Sequence, residues 1–337
     1  MSQAPLVSVL MPAYNCASFI GAAIESVLAQ TFSQFELLVI DDGSTDRTSE
    51  IVSGYVDSDT RIRLISRDHQ GIVETLNYGL EQARGCYLAR LDSDDISSQH
   101  RLEVQKNFLE AWPEVVLIGS AYTLIDQIGA RVQVSYMPQS DVAIRWHSLF
   151  HSPFAHSSVM LRLDVLRRYG LGYNPAMQEA EDYELWSKLL QHGQGCNLRE
   201  PLVQYRRHPG QASQHGQPAV WEYAGQVAQE NLIALGAPLP IEDVQRLREW
   251  FYRFPICFED KDLPLAESLL KILNRFSVQP SLDQREMERI RGRWLGRLFR
   301  ASFLGKDAAW FFRLIRQTKI GDLRAIIAYL LERERPE

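Results

Sequence analysis

"YLARLDSDD", residues 87–95, joins a strand-length apolar run, Tyr87, Leu88, Ala89 and Leu91, to three carboxylates within four positions, Asp92, Asp94 and Asp95. Carboxylates this close repel one another, so a fold keeps them where water reaches them or where a cation or hydrogen-bond donors offset the charge. In an extended segment Asp92 and Asp94 point to the same side. Two hard oxygen ligands can then reach one Mg²⁺ or Mn²⁺.

The segments before it repeat a strand-then-helix pattern. "LVSVLMP" (6–12) is a short apolar run ended by proline, after which Phe19, Ile20, Ala23, Ile24, Val27 and Leu28 recur at helical spacing. "FELLVIDDG" (35–43) repeats the strand, with Thr45 or Asp46 placed to cap a helix from Arg47. "RIRLIS" (61–66) reads as a third strand, "GIVETLNYGLEQARG" (71–85) as a helix closed by glycine, and "CYLARLD" (86–92) as a fourth strand. Such alternation predicts a parallel sheet with helices on both faces and a ligand site beyond the carboxyl ends of the strands.

Three of those ends are polar: Pro12-Ala13-Tyr14-Asn15, Asp41-Asp42-Gly43-Ser44 and Asp92-Ser93-Asp94-Asp95. One acidic strand end is usually a solvated turn or a helix cap. Three on one rim favour a nucleotide site. No G-x-G-x-x-G follows the first strand and no G-x-x-x-x-G-K-[ST] occurs anywhere. Without a glycine nest for its phosphates, a diphosphate calls for a metal.

Together these residues resemble the inverting family 2 glycosyltransferases of the GT-A fold. "VSVLMPAYN", "AIESVLAQTF", "ELLVIDDGSTDRT", "GIVETLNYGLEQARGCYLARLDSDD" and "AEDYELW" occur in that family's order across roughly residues 5–210. The resemblance implies a Rossmann-like, mostly parallel α/β sheet flanked by helices. It implies transfer of a sugar from a nucleotide-diphosphate donor to a hydroxyl acceptor, with Mn²⁺ or Mg²⁺. It gives Pro12 and Tyr14 to the nucleotide base, Asp42 to a hydrogen bond with the base ring, and Asp92 with Ser93 to the ribose and diphosphate. Asp94 becomes the main metal ligand.

"MQEAEDYELWSKLLQHG" (177–193) sets Leu185, Trp186, Leu189 and Leu190 at helical spacing, which puts Glu181 and Asp182 in a first turn. There the helix dipole favours negative charge. The resemblance makes Asp182 the general base, with Glu181 and Trp186 beside the acceptor; an inverting transfer needs one carboxylate to take the acceptor's proton. In "PLVQYRRHPGQAS" (201–213) it makes His208 a further metal ligand, and Arg206 or Arg207 can offset diphosphate charge. "FAHSSVMLRLDVLRRYG" (154–170) turns from strand to helix, and its His156 and Ser157 face the acceptor or cap that helix.

The chain has 337 residues, 45% hydrophobic and 23% charged, which fits one large domain with an appendage. We expect a catalytic domain over residues 1–215 and a helical C-terminal region over 216–337. The helices are "AVWEYAGQVAQENLIALG", "IEDVQRLREWFYRF", "PLAESLLKILNRF", "QREMERIRGRWLGRLFRASFLG" and "DLRAIIAYLLERE", punctuated by Pro238, Pro240, Pro255, Pro264 and Pro280. Net charge is −6, yet residues 281–337 hold 13 Arg or Lys against 8 Asp or Glu. Arg289, Arg291, Arg293, Arg297 and Arg300 alternate with Ile290, Trp294, Leu295, Leu298 and Phe299. That pattern suits either a helix lying on an anionic membrane surface or one packed on the protein with a solvated basic face.

The acidic balance of the whole chain argues against nucleic acid. Cys16, Cys86, Cys196 and Cys257 are far apart and make no C-x-x-C pair, which reads as reduced thiols in the cytoplasm. "MSQAPLVSVLMPAYN" (1–15) has no basic n-region and its apolar run is interrupted too soon to read as a signal peptide, and no apolar run here reaches the length expected of a membrane span. By analogy the acceptor is a saccharide or lipid-linked saccharide of bacterial surface polysaccharide or lipopolysaccharide synthesis, met at the inner face of the membrane. Nothing in the sequence excludes an oligomer. The competing readings are a sugar nucleotidyltransferase, which wants a Gly-rich basic segment where this chain has "MPAYNCASF", and a non-catalytic nucleotide-sugar-binding subunit.

Overall fold

The computed structural model describes residues 4–211, 217–253, 259–279, 282–304 and 326. Chain contacts divide it into two compact units, residues 1–140 with 152–223, and residues 141–151 with 224–337.

The first unit is built on a sheet whose first half follows the strand-helix alternation of the sequence. Strands β1 (Val7–Ala13), β2 (Phe35–Asp41), β3 (Ile62–Ser66) and β4 (Tyr87–Arg90) are separated by helices α1 (Ile20–Leu28), α2 (Thr48–Val56) and α3 (Ile72–Gln82). β1, β2 and β4 are buried along their whole length, as parallel strands covered on both faces must be. The order is β3-β2-β1-β4, all parallel, with Ala13 opposite Asp41 and Leu10 opposite Arg90. That register brings the polar carboxyl ends to one rim.

Beyond β4 the sheet becomes mixed. β5 (Ile96–Ser97) and helix α4 (Arg101–Ala111) lead into the long β6 (Val115–Ile125), and β7 (Arg131–Ser135) folds back on it. β8 (Met160–Arg162) then inserts antiparallel between β4 and β6. β9 (Gln194–Arg206) runs parallel to β6 and carries β5 antiparallel at the edge. Helix α6 (Leu163–Tyr169) follows β8 directly and ends on Gly170 in the left-handed region. α7 (Glu181–Leu189) begins at the two carboxylates named above.

Two local details depart from the sequence reading. Asp46 sits one residue before the position that caps α2, yet its Oδ1 accepts the Thr48 N–H at 2.9 Å while Oδ2 takes the Ala17 N–H at 3.1 Å. Gly85 does not close α3, which ends at an extended Ala83. A Cβ at Gly85 would lie 2.6 Å from the Ser8 nitrogen, so glycine is there to let the chain pass close to β1.

In the second unit helix α5 (Asp141–His147) packs with the helices Ile241–Tyr252, Leu263–Phe276 and Gln284–Leu304 and the C-terminal part of Gln217–Ala234. Trp146, Phe150, Leu269, Phe276, Trp294 and Leu298 share its core, with the Trp146 ring 5.2 Å from Phe276 and 5.9 Å from Trp294. Trp294, Leu295, Leu298 and Phe299 are therefore committed to the unit's own interior. An apolar helix side reaching an acyl boundary is not what the chain builds here; the burial gain goes to a protein core. Arg289, Arg293 and Arg300 are exposed, whereas Arg291 is buried with its Nη1 2.5 Å from the Asn274 Oδ1. Among the described residues no helix is long and apolar enough to cross a membrane. The helix read at 322–334, apart from Ile326, and Cys257, Pro255 and Pro280 lie outside the described residues.

Two histidines make this unit acid-sensitive. Burial pushes His147 from 6.5 down to about 4, and burial with the charges of His147 and Arg248 pushes His151 down to about 3. A depressed histidine binds fewer protons folded than unfolded, so stability is whole above about 6.5 and is lost as pH falls toward 3. Each is expected to cost about 2 kcal/mol at pH 5. Urea unfolding at pH 7.5 and pH 5, followed by tryptophan fluorescence, measures this. Equal midpoints would mean that these rings keep ordinary values.

Candidate active site

The rim formed by the ends of β1, β2 and β4 collects two groups of side chains. The first belongs to β1 and β2. Pro12 is buried within β1, and Tyr14 just beyond it is 47% exposed. Asn15, with a positive φ of 47°, holds the neighbouring loop through its Oδ1, which accepts from the Thr45 N–H at 2.8 Å and the Asp46 N–H at 3.3 Å. Asp42 is buried, and its carboxylate receives the N–H groups of Gln70 and Gly71 at 2.9 Å each, just ahead of α3. His69 Nδ1 lies 2.8 Å from the Asp42 Oδ2.

The acidic loop after β4 is the second group. Asp92, Asp94 and Asp95 each offer a carboxylate oxygen, and these atoms all lie within 4.8 Å of one another. Arg90 Nη2 is 2.5 Å from Asp92 Oδ1, and the Ser157 hydroxyl donates to Asp92 Oδ2 at 2.5 Å. Burial pushes Asp92 up, but the Arg90 charge and the hydrogen bonds from Arg90 and Ser157 outweigh it and hold it below the usual carboxylate range. Burial and the adjacent carboxylates push Asp94 up, and Asp95 well up. Asp95 is fully buried, takes the Arg206 N–H on Oδ1 at 2.7 Å, and has no hydrogen-bond partner for Oδ2 among the described residues. Crowded, partly orphaned oxygens of this kind fit a divalent cation, which would satisfy them and relieve their repulsion.

The far end of β9 locks onto that loop. His208 Nε2 is 3.0 Å from Asp94 Oδ2, with the imidazole tilted against the Phe19 ring at 4.5 Å. Gln211 donates to the Arg206 carbonyl and reaches Asp94 Oδ2 at 3.4 Å. Arg206 itself is buried. Its Nε donates to the Asp94 carbonyl at 2.9 Å and its Nη1 to the carbonyls of Asp126 and Gln127 at 3.3 and 3.2 Å. A guanidinium held by three backbone carbonyls props the loop rather than extending to a ligand, whereas Arg207 is exposed. Ser93 faces the buried Cys16 thiol.

The third element is α7. Burial, with the neighbouring Asp182, pushes Glu181 up to about 8; burial pushes Asp182 up to about 6 against the Tyr183 N–H and the Arg90 charge. The pair is tied to the acidic loop through aromatic and polar contacts. Trp186, fully buried on the same helix, packs 5.8 Å from His156 and 6.4 Å from Tyr173. His156 Nε2 lies 3.0 Å from the Tyr173 hydroxyl, and burial with the Arg90 charge pushes this imidazole down to about 3, so it is neutral. Next to it, Ser157 holds Asp92. The sequence-derived residues thus converge in one unit: Asp92, Asp94, His156, Ser157, Glu181, Asp182, Trp186 and His208 meet, with Tyr14 and Asp42 on the same rim.

Reading along the chain did not single out Arg90, Tyr173 or His69. Arg90 carried a signal, a charged residue inside a strand that reads as wholly buried. It is 2% exposed, with Nε and Nη1 lacking hydrogen-bond partners among the described residues. Tyr173 carried none, since its place depends on Asn77, whose side chain bonds both its N–H and its carbonyl at 2.8 Å across 96 residues.

Residues 8–169 match the family profile described as glycosyl transferase family 2. An uncharacterized glycosyltransferase of Haemophilus influenzae is 32% identical over 244 residues, 69% of this chain and 75% of that protein. The Escherichia coli O-antigen biosynthesis glycosyltransferase WbnJ is 29% identical over 234 residues, 67% of this chain and 89% of that protein. Among solved structures, S. aureus TarS 1-349 in complex with UDP-GlcNAc aligns with a TM-score of 0.58 at 18% identity, over 92% of this chain and 90% of that one. The mannosyltransferase PcManGT of Pyrobaculum calidifontis, in complex with GDP-Man and Mn²⁺, aligns with a TM-score of 0.54 at 17% identity, over 99% and 89%. With GT-A neighbours in fold and a relative this similar over three quarters of its length, the chain belongs to glycosyl transferase family 2.

Proposed function

We propose that the protein is a metal-dependent, inverting glycosyltransferase that moves a sugar from a nucleoside-diphosphate donor to a hydroxyl of a saccharide or lipid-linked saccharide. The observation that carries this reading is the placing of a three-carboxylate cluster beside a helix start where two further carboxylates are pushed apart, Glu181 to about 8 and Asp182 to about 6. At neutral pH Glu181 keeps its proton and Asp182 does not. Environments that separate two carboxyls in this way leave the lower one, Asp182, as the proton acceptor.

In this reading Asp182 accepts the proton of the acceptor hydroxyl as that oxygen attacks the anomeric carbon opposite the leaving nucleotide. No covalent intermediate is needed, so the anomeric configuration inverts. A divalent ion, held by Asp94 with Asp92, Asp95 and His208 beside it, would supply positive charge to the departing diphosphate. Arg90 holds Asp92 in place from below. Tyr14 offers a ring face to the base, and Asp42 an acceptor to a base N–H. His156, Tyr173 and Trp186 line the acceptor side and keep water from the base.

The pathway we infer is bacterial surface polysaccharide or lipopolysaccharide synthesis in the cytoplasm, in keeping with relatives such as WbnJ. The exposed basic side of the helix Gln284–Leu304 suits an anionic membrane surface that carries the acceptor. A thermal-shift panel of UDP- and GDP-sugars, with and without Mn²⁺, tests the donor and metal assignments together, since a ligand of the native state raises its stability. Stabilisation by one nucleotide class only with the metal is expected. NMR of the product then reads the anomeric configuration; retention would remove the inverting mechanism.

A further inference from the structure

His69 occupies the features that the proposed function assigns to the donor's base. Its imidazole lies face to face with Tyr14, ring centroids 4.2 Å apart and planes 22° from parallel, which leaves no room for a third ring between them. Its Nδ1 faces Asp42, 2.8 Å from Oδ2 and in hydrogen-bond contact with the main-chain carbonyl at 3.1 Å. A flat heterocycle stacked on Tyr14 and presenting an N–H to Asp42 is also a description of a bound nucleobase. We propose that in the empty enzyme His69 stands in for the nucleobase, and that the donor binds by displacing it. This rests on the reading of Tyr14 and Asp42 as the base site.

The surroundings make that displacement a side-chain motion. The backbone is anchored on both sides of His69: the Arg67 N–H reaches the Asp41 carbonyl at 2.9 Å, and the Gln70 and Gly71 N–H groups reach the Asp42 carboxylate at 2.9 Å. Gly43, at φ +75°, lets this loop approach so closely that a Cβ there would lie 2.8 Å from the His69 nitrogen. The His69 side chain, by contrast, is 54% exposed. Its ring can swing toward solvent while the Asp42 carboxylate stays fixed by the two backbone N–H groups. Holding the Tyr14 face covered lowers apparent affinity by the fraction of molecules in which the slot is open.

Equilibrium titration of the full chain with UDP and with GDP, each with Mn²⁺, tests this in the wild type and in His69→Ala, His69→Asn and Tyr14→Ala. His69→Ala is expected to bind the preferred nucleotide about two- to tenfold more tightly, the size of one exposed aromatic stack. His69→Asn, which loses the ring but keeps a donor for Asp42, should fall between Ala and wild type. Tyr14→Ala should weaken binding. Unchanged or weaker binding by His69→Ala overturns the displacement, while the base site stands if Tyr14→Ala is still impaired. No nucleotide binding in wild type, His69→Ala and Tyr14→Ala alike overturns the base site, and this inference with it.

Discussion

Asp182→Asn is expected to leave nucleotide-sugar affinity intact and to lower transfer by about 10² to 10⁴-fold, the range for removing a general base. The amide keeps the shape of the side chain at the start of α7 and removes only its capacity to accept a proton. In the wild type, burial raises Asp182 to about 6. Because the base works deprotonated, transfer should climb as pH rises through about 6 and level off above it. Glu181→Gln should disturb transfer far less at pH 7, since a carboxyl raised to about 8 is already protonated there. Single-turnover measurements with donor saturating check both, and near wild-type transfer by Asp182→Asn would place the base elsewhere.

The second large effect is expected at the acidic loop. Asp94→Ala should abolish Mn²⁺-dependent binding of the nucleotide diphosphate and leave the fold in place, because Asp94 is partly exposed and its loss relieves repulsion from Asp92 and Asp95. Removing metal from the wild type with a chelator should mimic the variant. Calorimetric titration of the nucleotide with and without Mn²⁺ separates the outcomes. A folded variant with unchanged metal-dependent affinity would show that Asp94 does not hold the ion.

Much of this arrangement was legible because local geometry carries it. Apolar runs of strand length ending in Pro12, Asp41 and Asp92 place the strand ends to within two residues, β1 running on through Pro12 to Ala13 and β4 stopping at Arg90, and strand-helix alternation places the first three helices. The carboxylates of "DSDD" converge through a turn, the Asp95 N–H meeting the Asp92 carbonyl at 3.2 Å, and not through the extended alternation the sequence suggested, whereas a helix beginning at Glu181 is readable from Leu185, Trp186 and Leu189. Arg206 shows where such reading stops. A basic residue next to a proposed phosphate site looks like a phosphate ligand, but its guanidinium meets the carbonyls of Asp94, Asp126 and Gln127. Nothing local records that the β6–β7 turn comes within reach of it.

The amino-acid order by itself determined the parallel half of the sheet, the rim on which polar strand ends collect, and the carboxylate-rich segments at 92–95 and 181–182. Tertiary structure decided which of those residues touch. Ser157 reaches Asp92 across 65 residues, and His208 reaches Asp94 across 114. Burial raises both carboxyls of α7, and non-local charge separates them: the Asp182 charge lifts Glu181 further, while the Tyr183 N–H and the distant Arg90 hold Asp182 lower. Residues 141–151 join the helical unit because Val142, Trp146 and Phe150 find their apolar partners there. The same packing draws Trp294 and Leu298 inward. Strand and helix periods are properties of a short stretch of backbone, whereas burial and charge proximity exist only once distant segments share a core.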